Sequence, residues 1–304
     1  MRNIRVVFAV LSLSVVLVAG VADELQAQEK RQGWTKRLRY RRELRRELQG
    51  EIQLSGASAL YPMAVKWAEE FRKIHPKVRI DISAGGAGKG ITDALAKVVD
   101  LGMVSRDIYP QELEKGAFPI AVVKDAVVPT INSNNPLIDQ ILATGLKQQV
   151  AQDLWIHTTA RTWGDVLGTG STIPVHVYTR SDACGAAETF AAWLGAKQED
   201  LEGTAVFGDP GVTSVVQRDK VGIGFNNIAY AYDINSKKPY RHIAVIPLDL
   251  NGNGKIDPEE DFYATSTELN AAIAEGKYPS PPARNLFLVS NGKPMKPEVL
   301  AFLE

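Results

Sequence analysis

The chain is poor in the residues that cross-link a fold or announce a catalyst. A single cysteine, Cys184, stands among 304 residues, which excludes an internal disulfide and leaves stability to apolar burial. Only four histidines are present, and His75, His157, His176 and His242 are scattered without metal-ligand spacing. Lysine plus arginine equals aspartate plus glutamate at 35 each, so no net field favours nucleic acid or steers a charged partner. Any bound anion has to be held by local donors. Aromatic residues make up 8%, and Trp67, Trp155, Trp163 and Trp193 fall in helical or apolar contexts that read as core.

Long apolar runs are also scarce. The one at the start, Val6 to Val18, follows Arg2 and Arg5 and leads into Ala19-Gly20-Val21-Ala22. Basic, apolar and small segments in that order predict a secretory signal peptide over 1–27, cleaved after Ala22 or Ala27. The competing reading is a retained membrane anchor, against which the shortness of the run counts. With no cysteine near the cleavage region, a lipid anchor is not expected, and export places the mature chain in the periplasm or outside the cell. Residues 28–50 read as a basic leader, dense in arginine, in which Leu38, Tyr40, Leu44 and Leu48 partly share a helical face. It is expected to be a solvated helix with a narrow apolar seam; the alternative is a basic surface for anionic lipid or a partner.

The remainder is long enough for one large domain or two ordinary ones. In it, three Gly/Ser-rich turns each precede an amphipathic stretch: Ser55-Gly56-Ala57-Ser58, Gly85-Gly86-Ala87-Gly88-Lys89-Gly90 and Arg180-Ser181-Asp182-Ala183-Cys184-Gly185. A helix start carries unpaired N–H groups and about half a positive charge, and glycine lets a ligand approach that backbone, so each turn is an anion seat. Met63, Ala64, Trp67, Ala68, Phe71 and Ile74 predict a helix stopped by Pro76; Ile91, Ala94, Leu95 and Val98 predict another after the second turn. Strands are expected at 52–54, 78–82, 101–104, 122–131 and 173–178. The repetition predicts an α/β fold of doubly wound sheets with crevices at the strand ends. Asn132-Ser133-Asn134-Asn135-Pro136 and Asn226-Asn227 look like crossings between lobes. They divide the body into a discontinuous lobe 1, 51–131 with 226–304, and an inserted lobe 2, 132–225.

From about residue 50 onward the sequence resembles the phosphate-binding components of bacterial ABC importers. The resemblance is carried by Leu54-Ser55-Gly56-Ala57-Ser58-Ala59-Leu60-Tyr61-Pro62, the Gly85 to Ile91 turn and Asp100-Leu101-Gly102-Met103-Val104-Ser105-Arg106. Thr162-Trp163-Gly164-Asp165, the Arg180 to Phe190 segment and Val221-Gly222-Ile223-Gly224-Phe225 complete it. It implies the two-lobed type II periplasmic-binding-protein fold, with the ligand cleft between the lobes. It also implies ligand contacts from Ser58 and Ala59 in the first turn, from Ala87 and Gly88 in the second, and from Arg180, Cys184, Gly185 and Ala186 in the third. Asp182 matches the acid that orients the arginine. Ser105 stands where the family has an aspartate that accepts the proton of phosphate, and Arg106 beside it is a possible second guanidinium, or else turns to solvent or to Asp107. The family's hydroxyls are missing at Ala87, Cys184 and Ala186. Phosphate is therefore the first expectation, with molybdate, sulfate or a small carboxylate as alternatives. Family members continue with a further helix beyond a segment like 297–303, so the first lobe is expected to be incompletely covered.

One motif lies outside the resemblance. Asp249-Leu250-Asn251-Gly252-Asn253-Gly254-Lys255-Ile256-Asp257-Pro258-Glu259-Glu260 fits the twelve-position calcium loop, with oxygen side chains at positions one, three, five, nine and twelve and glycine at six. Asp249, Asn251, Asn253, Asp257 and Glu260, with the Lys255 carbonyl, are expected to hold a structural Ca²⁺; the competing reading is a polar turn that binds nothing. The whole describes a monomeric exported binding protein serving a membrane permease, not an enzyme and not a nucleic-acid partner. Two alternatives stand beside it. One is a cysteine-dependent enzyme using Cys184 and His176, the thiol activated by a helix N-terminus; the other is a receptor for a sensor or adhesion partner.

Overall fold

The computed structural model describes residues 48–304. The expected signal peptide and all but the last three residues of the expected basic leader fall outside the described residues.

Along the chain run β1 (Gln49–Gly56), α1 (Tyr61–Ile74), β2 (Lys77–Ala84), α2 (Ala87–Leu95), β3 (Leu101–Val104), α3 (Pro110–Glu114) and β4 (Ala117–Asn132). Then come α4 (Ile138–Thr144), α5 (Gln148–Trp155), α6 (Trp163–Leu167), β5 (His176–Arg180), α7 (Gly185–Trp193), β6 (Thr204–Val206) and α8 (Gly208–Arg218). The chain finishes with β7 (Gly222–Asn227), α9 (Ile228–Ala231), β8 (Ile243–Val245), α10 (Ser266–Ala274), β9 (Ala283–Asn291) and α11 (Pro297–Phe302). Local signals explain the boundaries. Pro62 sits in the first turn of α1, where its missing N–H costs nothing, and Pro76 lies just past the end at Ile74. Thr162 and Thr265 each accept the N–H of an acid three residues on, Asp165 and Glu268, in reciprocal caps of α6 and α10.

The strands lie in the order β2-β1-β3-β9-β4-β7-β5-β6, with β8 beside β4. β1 pairs with β3, and β5 with β6 and β7, all in parallel. The centre differs from a doubly wound layer: β9 runs antiparallel to β3 and β4, and β4 antiparallel to β7 and β8. β4 is the bridge. Over Ala117–Ala126 it pairs with β9, and from Val127 to Ile131 with β7. Its burial changes at the same point, from partial to complete from Asp125 onward, which is why the β-branched run sits in this half.

This pairing corrects the expected division of lobes. The crossing lies between Ala126 and Val127, not after 131, and the return lies near Ala283, not at 226. Ile228, Tyr232, Val245, Phe262, Leu269 and Tyr278 share one core with Trp155, Trp163 and Phe190. Residues 228–278 bury their apolar side chains on the second half of the sheet, so the polar Asn226-Asn227 pair ends a strand without changing lobes. In the first half, α11 packs Phe302 edge-on against Phe71 at 5.5 Å.

The second core centres on Phe190 of α7. Its ring stacks on Phe225 at 4.4 Å and meets Trp155 edge-on at 4.9 Å. Phe190→Ala is expected to lower stability by about 3–5 kcal/mol, read as a shift in the urea midpoint with an unchanged slope.

Candidate functional site

The three turns meet. Gly56 has φ +129°, and a Cβ there would lie 2.3 Å from the Met103 carbonyl oxygen, so only glycine lets β1 approach β3 this closely. The Ala57 N–H donates to the same carbonyl at 2.8 Å, and the Gly85 and Gly86 N–H groups donate to the Gly56 carbonyl at 2.9 and 3.1 Å. The first turn, the second turn and the end of β3 are thus one backbone-bonded unit. The third turn closes on it from the other half: a Cβ on Gly185 would come within 2.3 Å of both the carbonyl oxygen and Oγ of Ser105.

Between them is a small cavity of about 10 Å³, room for about one water. Eight of the expected ligand residues line it: Ser58, Ala59, Ala87, Ser105, Arg180, Cys184, Gly185 and Ala186. α2 and α7 both begin at its wall. The amides of Ser58, Ala59, Ala87, Gly185 and Ala186 find no acceptor among the described residues, which makes them the donors an anion would use.

Arg180 is the one cation of that lining. Its side chain is 1% exposed, and three of its N–H groups are bound to acids. Nε and Nη2 grip the two oxygens of Asp182 at 2.9 and 2.7 Å, and Nη1 donates to Asp209 Oδ2 at 2.9 Å. Those carboxylates hold the guanidinium charged and fixed in one plane while leaving two donors over. Asp182 is anchored in turn by the Gly208 N–H at 3.0 Å. Asp209 Oδ1 accepts the backbone and side-chain N–H groups of Asn227 at 3.1 and 2.9 Å.

A second buried arginine lies beneath. Arg284 of β9 donates to the Gly185 carbonyl, to Asn227 Oδ1, to Thr189 Oγ1 at 2.9 Å and to Asp125 Oδ2 at 3.3 Å. Two guanidiniums therefore face three carboxylates, Asp125, Asp182 and Asp209. The floor has no excess positive charge, so an anion must be held chiefly by N–H groups. Burial pushes Asp125 up to about 6 despite Arg284 beside it.

Two expectations, for Arg106 and Gly88, need correction. Arg106 does not face the cavity; its guanidinium forks onto Glu112 at 2.9 and 2.7 Å and donates to the Asp107 carbonyl at 2.8 Å. Gly88 is outside the lining, because α2 has already turned its second residue away. Asp182 holds Arg180 from behind, in the orienting role that the resemblance implied, and does not itself line the cavity. Ser58 lines the cavity and does not cap α1: the cap position is Leu60, without a side-chain bond, while the Ser58 carbonyl accepts from Tyr230 Oη at 3.2 Å. Asp209 and Asn227 were not foreseen. The signal for Asp209 was an acid directly after Gly208 at a helix start, indistinguishable in sequence from a dipole-favoured surface residue.

Comparisons with known proteins show the family and the fold. A PBP superfamily domain matches residues 43–304. The chain belongs to the PBP superfamily. Protein SphX of Synechococcus elongatus is 28% identical over 211 residues, covering 67% of this chain and 60% of that protein. Phosphate-binding protein PstS of Xylella fastidiosa is 28% identical over 204 residues, covering 60% of this chain and 54% of that protein. The chain thus spans less than two thirds of these relatives' length. A substrate-binding protein structure from Clostridium perfringens, with bound phosphate, superposes with a TM-score of 0.67 at 22% identity, over 84% of this chain and 91% of the other. The fold is that of the periplasmic binding proteins.

Within this superfamily fold the remaining sequence candidates lie away from the cleft. The Asp249 to Glu260 loop follows β8 with no entering helix, as expected. Asp249 accepts the N–H groups of Gly252, Asn253 and Gly254 at 2.7, 3.2 and 2.7 Å. Glu260 reaches back to those of Leu250 and Asn251 at 2.8 and 3.1 Å. Asn251 and Asn253 both point Nδ2 at Asp257 Oδ2, at 2.9 and 2.7 Å. Lys255 first, then these two amides, holds Asp257 down at about 2. Rotating each amide would put its oxygen where its nitrogen is. The donor chemistry fits Ca²⁺. Among the described residues, however, no three His, Cys, Asp or Glu groups stand at metal-holding geometry.

Cys184 and His176 are not partners. Cys184 caps α7 inside the cavity, and burial pushes its thiol up to about 11. His176 lies at the far end of β5, its Nδ1 at 2.6 Å from Asp219 Oδ2. That end opens on a larger hollow of about 570 Å³ beside Tyr178 and Arg161, which shares no residue with the three turns.

Asp125 should leave a signature in acid. With its folded pKa raised from 3.8 to about 6, the folded state holds an extra proton between these values. Stability contributed by this group is full below pH 4, falls as pH rises through 6 and is level above, a loss on the order of 3 kcal/mol. Asp125→Asn is expected to lack that slope when urea unfolding of both proteins is compared at pH 4.5 and pH 7.

Proposed function

We propose that the chain is an exported solute-binding protein that closes its two lobes on a small oxyanion, phosphate first, and delivers it to a membrane ABC permease. The observation that carries this reading is the convergence of two helix N-termini, one from each half of the sheet, with Arg180 on one cavity. The relative named as phosphate-binding and the neighbouring structure with bound phosphate support the same ligand class. Admission requires the walls to part, because a cavity of about 10 Å³ is smaller than any oxyanion. Closing then removes water, and each charge-assisted bond strengthens in the drier site. Asp182 and Asp209 keep Arg180 in place beforehand, so little side-chain entropy is lost on capture.

Binding is better supported than catalysis by the cysteine. A buried thiol pushed up to about 11 stays protonated at neutral pH, and the only histidine proposed as its base is engaged with Asp219. The losses at Ala87, Ser105, Cys184 and Ala186 keep sulfate, molybdate and small carboxylates as competing ligands. Calorimetric titration with these four classes tests the reading. Phosphate is expected to bind with a stoichiometry of one, and Arg180→Lys, which keeps the charge and loses the fork, to weaken it about 10- to 100-fold. Silence with phosphate alongside a response to another anion would replace the ligand and keep the fold.

The Asp249 to Glu260 loop is proposed to take structural Ca²⁺ through Asp249, Asn251, Asn253, Asp257, Glu260 and the Lys255 carbonyl. Calcium is expected to raise the melting temperature, a chelator to reverse the gain, and Glu260→Gln to abolish it. No change on adding calcium at millimolar concentration would mark the loop as an internally bonded turn.

A further inference from the structure

We propose that Glu188, with Arg106 and Tyr109, forms a clasp across the mouth of the cleft that sets how long a captured anion stays, an inference that rests on the binding function above. Tyr109 Oη donates to Glu188 Oε1, and Arg106 Nε lies 3.4 Å from Glu188 Oε2. Arg106 and Tyr109 come from the segment between β3 and α3 on the first half. Glu188 belongs to α7 on the second. Both oxygens of one carboxylate thus meet donors of the opposite wall.

The clasp adjoins the lining directly. Arg106 follows Ser105, and Glu188 lies two residues after Ala186, so the walls cannot separate at the anion seat while the clasp stays made. Glu188 is therefore a positioning residue: it holds the first amides of α7 against Ser105.

An exposed ion pair is commonly worth little, because two long side chains must be immobilised to form it. Here one side is already immobile. Arg106 has a side chain 8% exposed and pinned by Glu112, and its guanidinium carbon lies 4.0 Å above the Tyr109 ring. Glu188 meets a preorganised pair, which removes most of that entropic cost. Arg284 also joins the halves, but at the β4–β9 junction, where the strands are continuous. The clasp sits at the free edge, where opening begins.

Opening must break both contacts, in the empty protein as in the loaded one. Loss of the clasp therefore speeds release and also enlarges the open fraction that can capture the anion. Glu188→Gln, which keeps shape and loses charge, is expected to speed phosphate dissociation in stopped flow about tenfold, with association unchanged or faster. Tyr109→Phe is expected to give a smaller acceleration of the same kind. In protein without added anion, spin labels at Lys115→Cys and Ala192→Cys are expected to lie farther apart when Glu188→Gln is present. Both label pairs are placed in a Cys184→Ala background, so that the cavity thiol takes no label. A merely structural role would lower the melting temperature and leave the rate ratio and the label distance unmoved. Wild-type rates and wild-type distances in both variants would overturn the clasp. If the unmodified protein shows no phosphate response, the ligand reading fails, and the label distance alone decides the clasp.

Discussion

A buried guanidinium that is charged yet almost wholly satisfied governs the cleft. Arg180 cannot be taken out of water unless carboxylates come with it, and each of its two carboxylates fixes something else. Asp182 ties the third turn to the start of α8, and Asp209 ties α8 to the end of β7 through Asn227. The arginine's pairing requirement thus assembles one wall of the cleft. Because that pairing leaves the floor without surplus positive charge, the proposed anion selectivity rests on the geometry of backbone N–H groups, which cannot be altered by changing one side chain. Loss of hydroxyls at Ala87 and Ala186 is then tolerable, because those positions still present their amides, whereas the Cys184 amide is already given to Gln198 Oε1 at 3.0 Å.

The sheet makes such a wall movable. Each parallel wing has its own core, and only β4 and β9 run between them. β4 changes partner between Ala126 and Val127, where Asp125 and Arg284 are buried against the underside of α7. The opening that the proposed function requires would be absorbed at this junction and would change the distance between the turns most at the far edge. Junction and edge therefore carry different chemistry: a buried ion pair at one, and a partly exposed carboxylate on a preorganised arginine at the other.

Much of this was legible from residues alone, for identifiable reasons. Turns followed by amphipathic periodicity located α1, α2 and α7 closely, because glycine and proline act locally. β3 was found at its true boundaries. Arg106 was misplaced because a strand-end arginine next to a lining serine says nothing of Glu112, six residues on and reachable only once α3 forms. Asp209 was missed because its partners, Arg180 and Asn227, lie 29 and 18 residues away. The lobe boundary was wrong for a related reason: Asn226-Asn227 has turn composition, yet both side chains serve the buried network. Periodicity reports which face of an element is apolar, and not which neighbour covers it.

The most direct measurement is a titration of amide resonances with phosphate. If the three turns form one anion seat, the N–H signals of Ser58, Ala59, Ala87, Gly185 and Ala186 move together and saturate at one concentration, with the Arg180 side-chain N–H beside them. If instead those signals stay put while residues around Arg161 and His176 shift, the seat is elsewhere and the reading of the three turns is wrong.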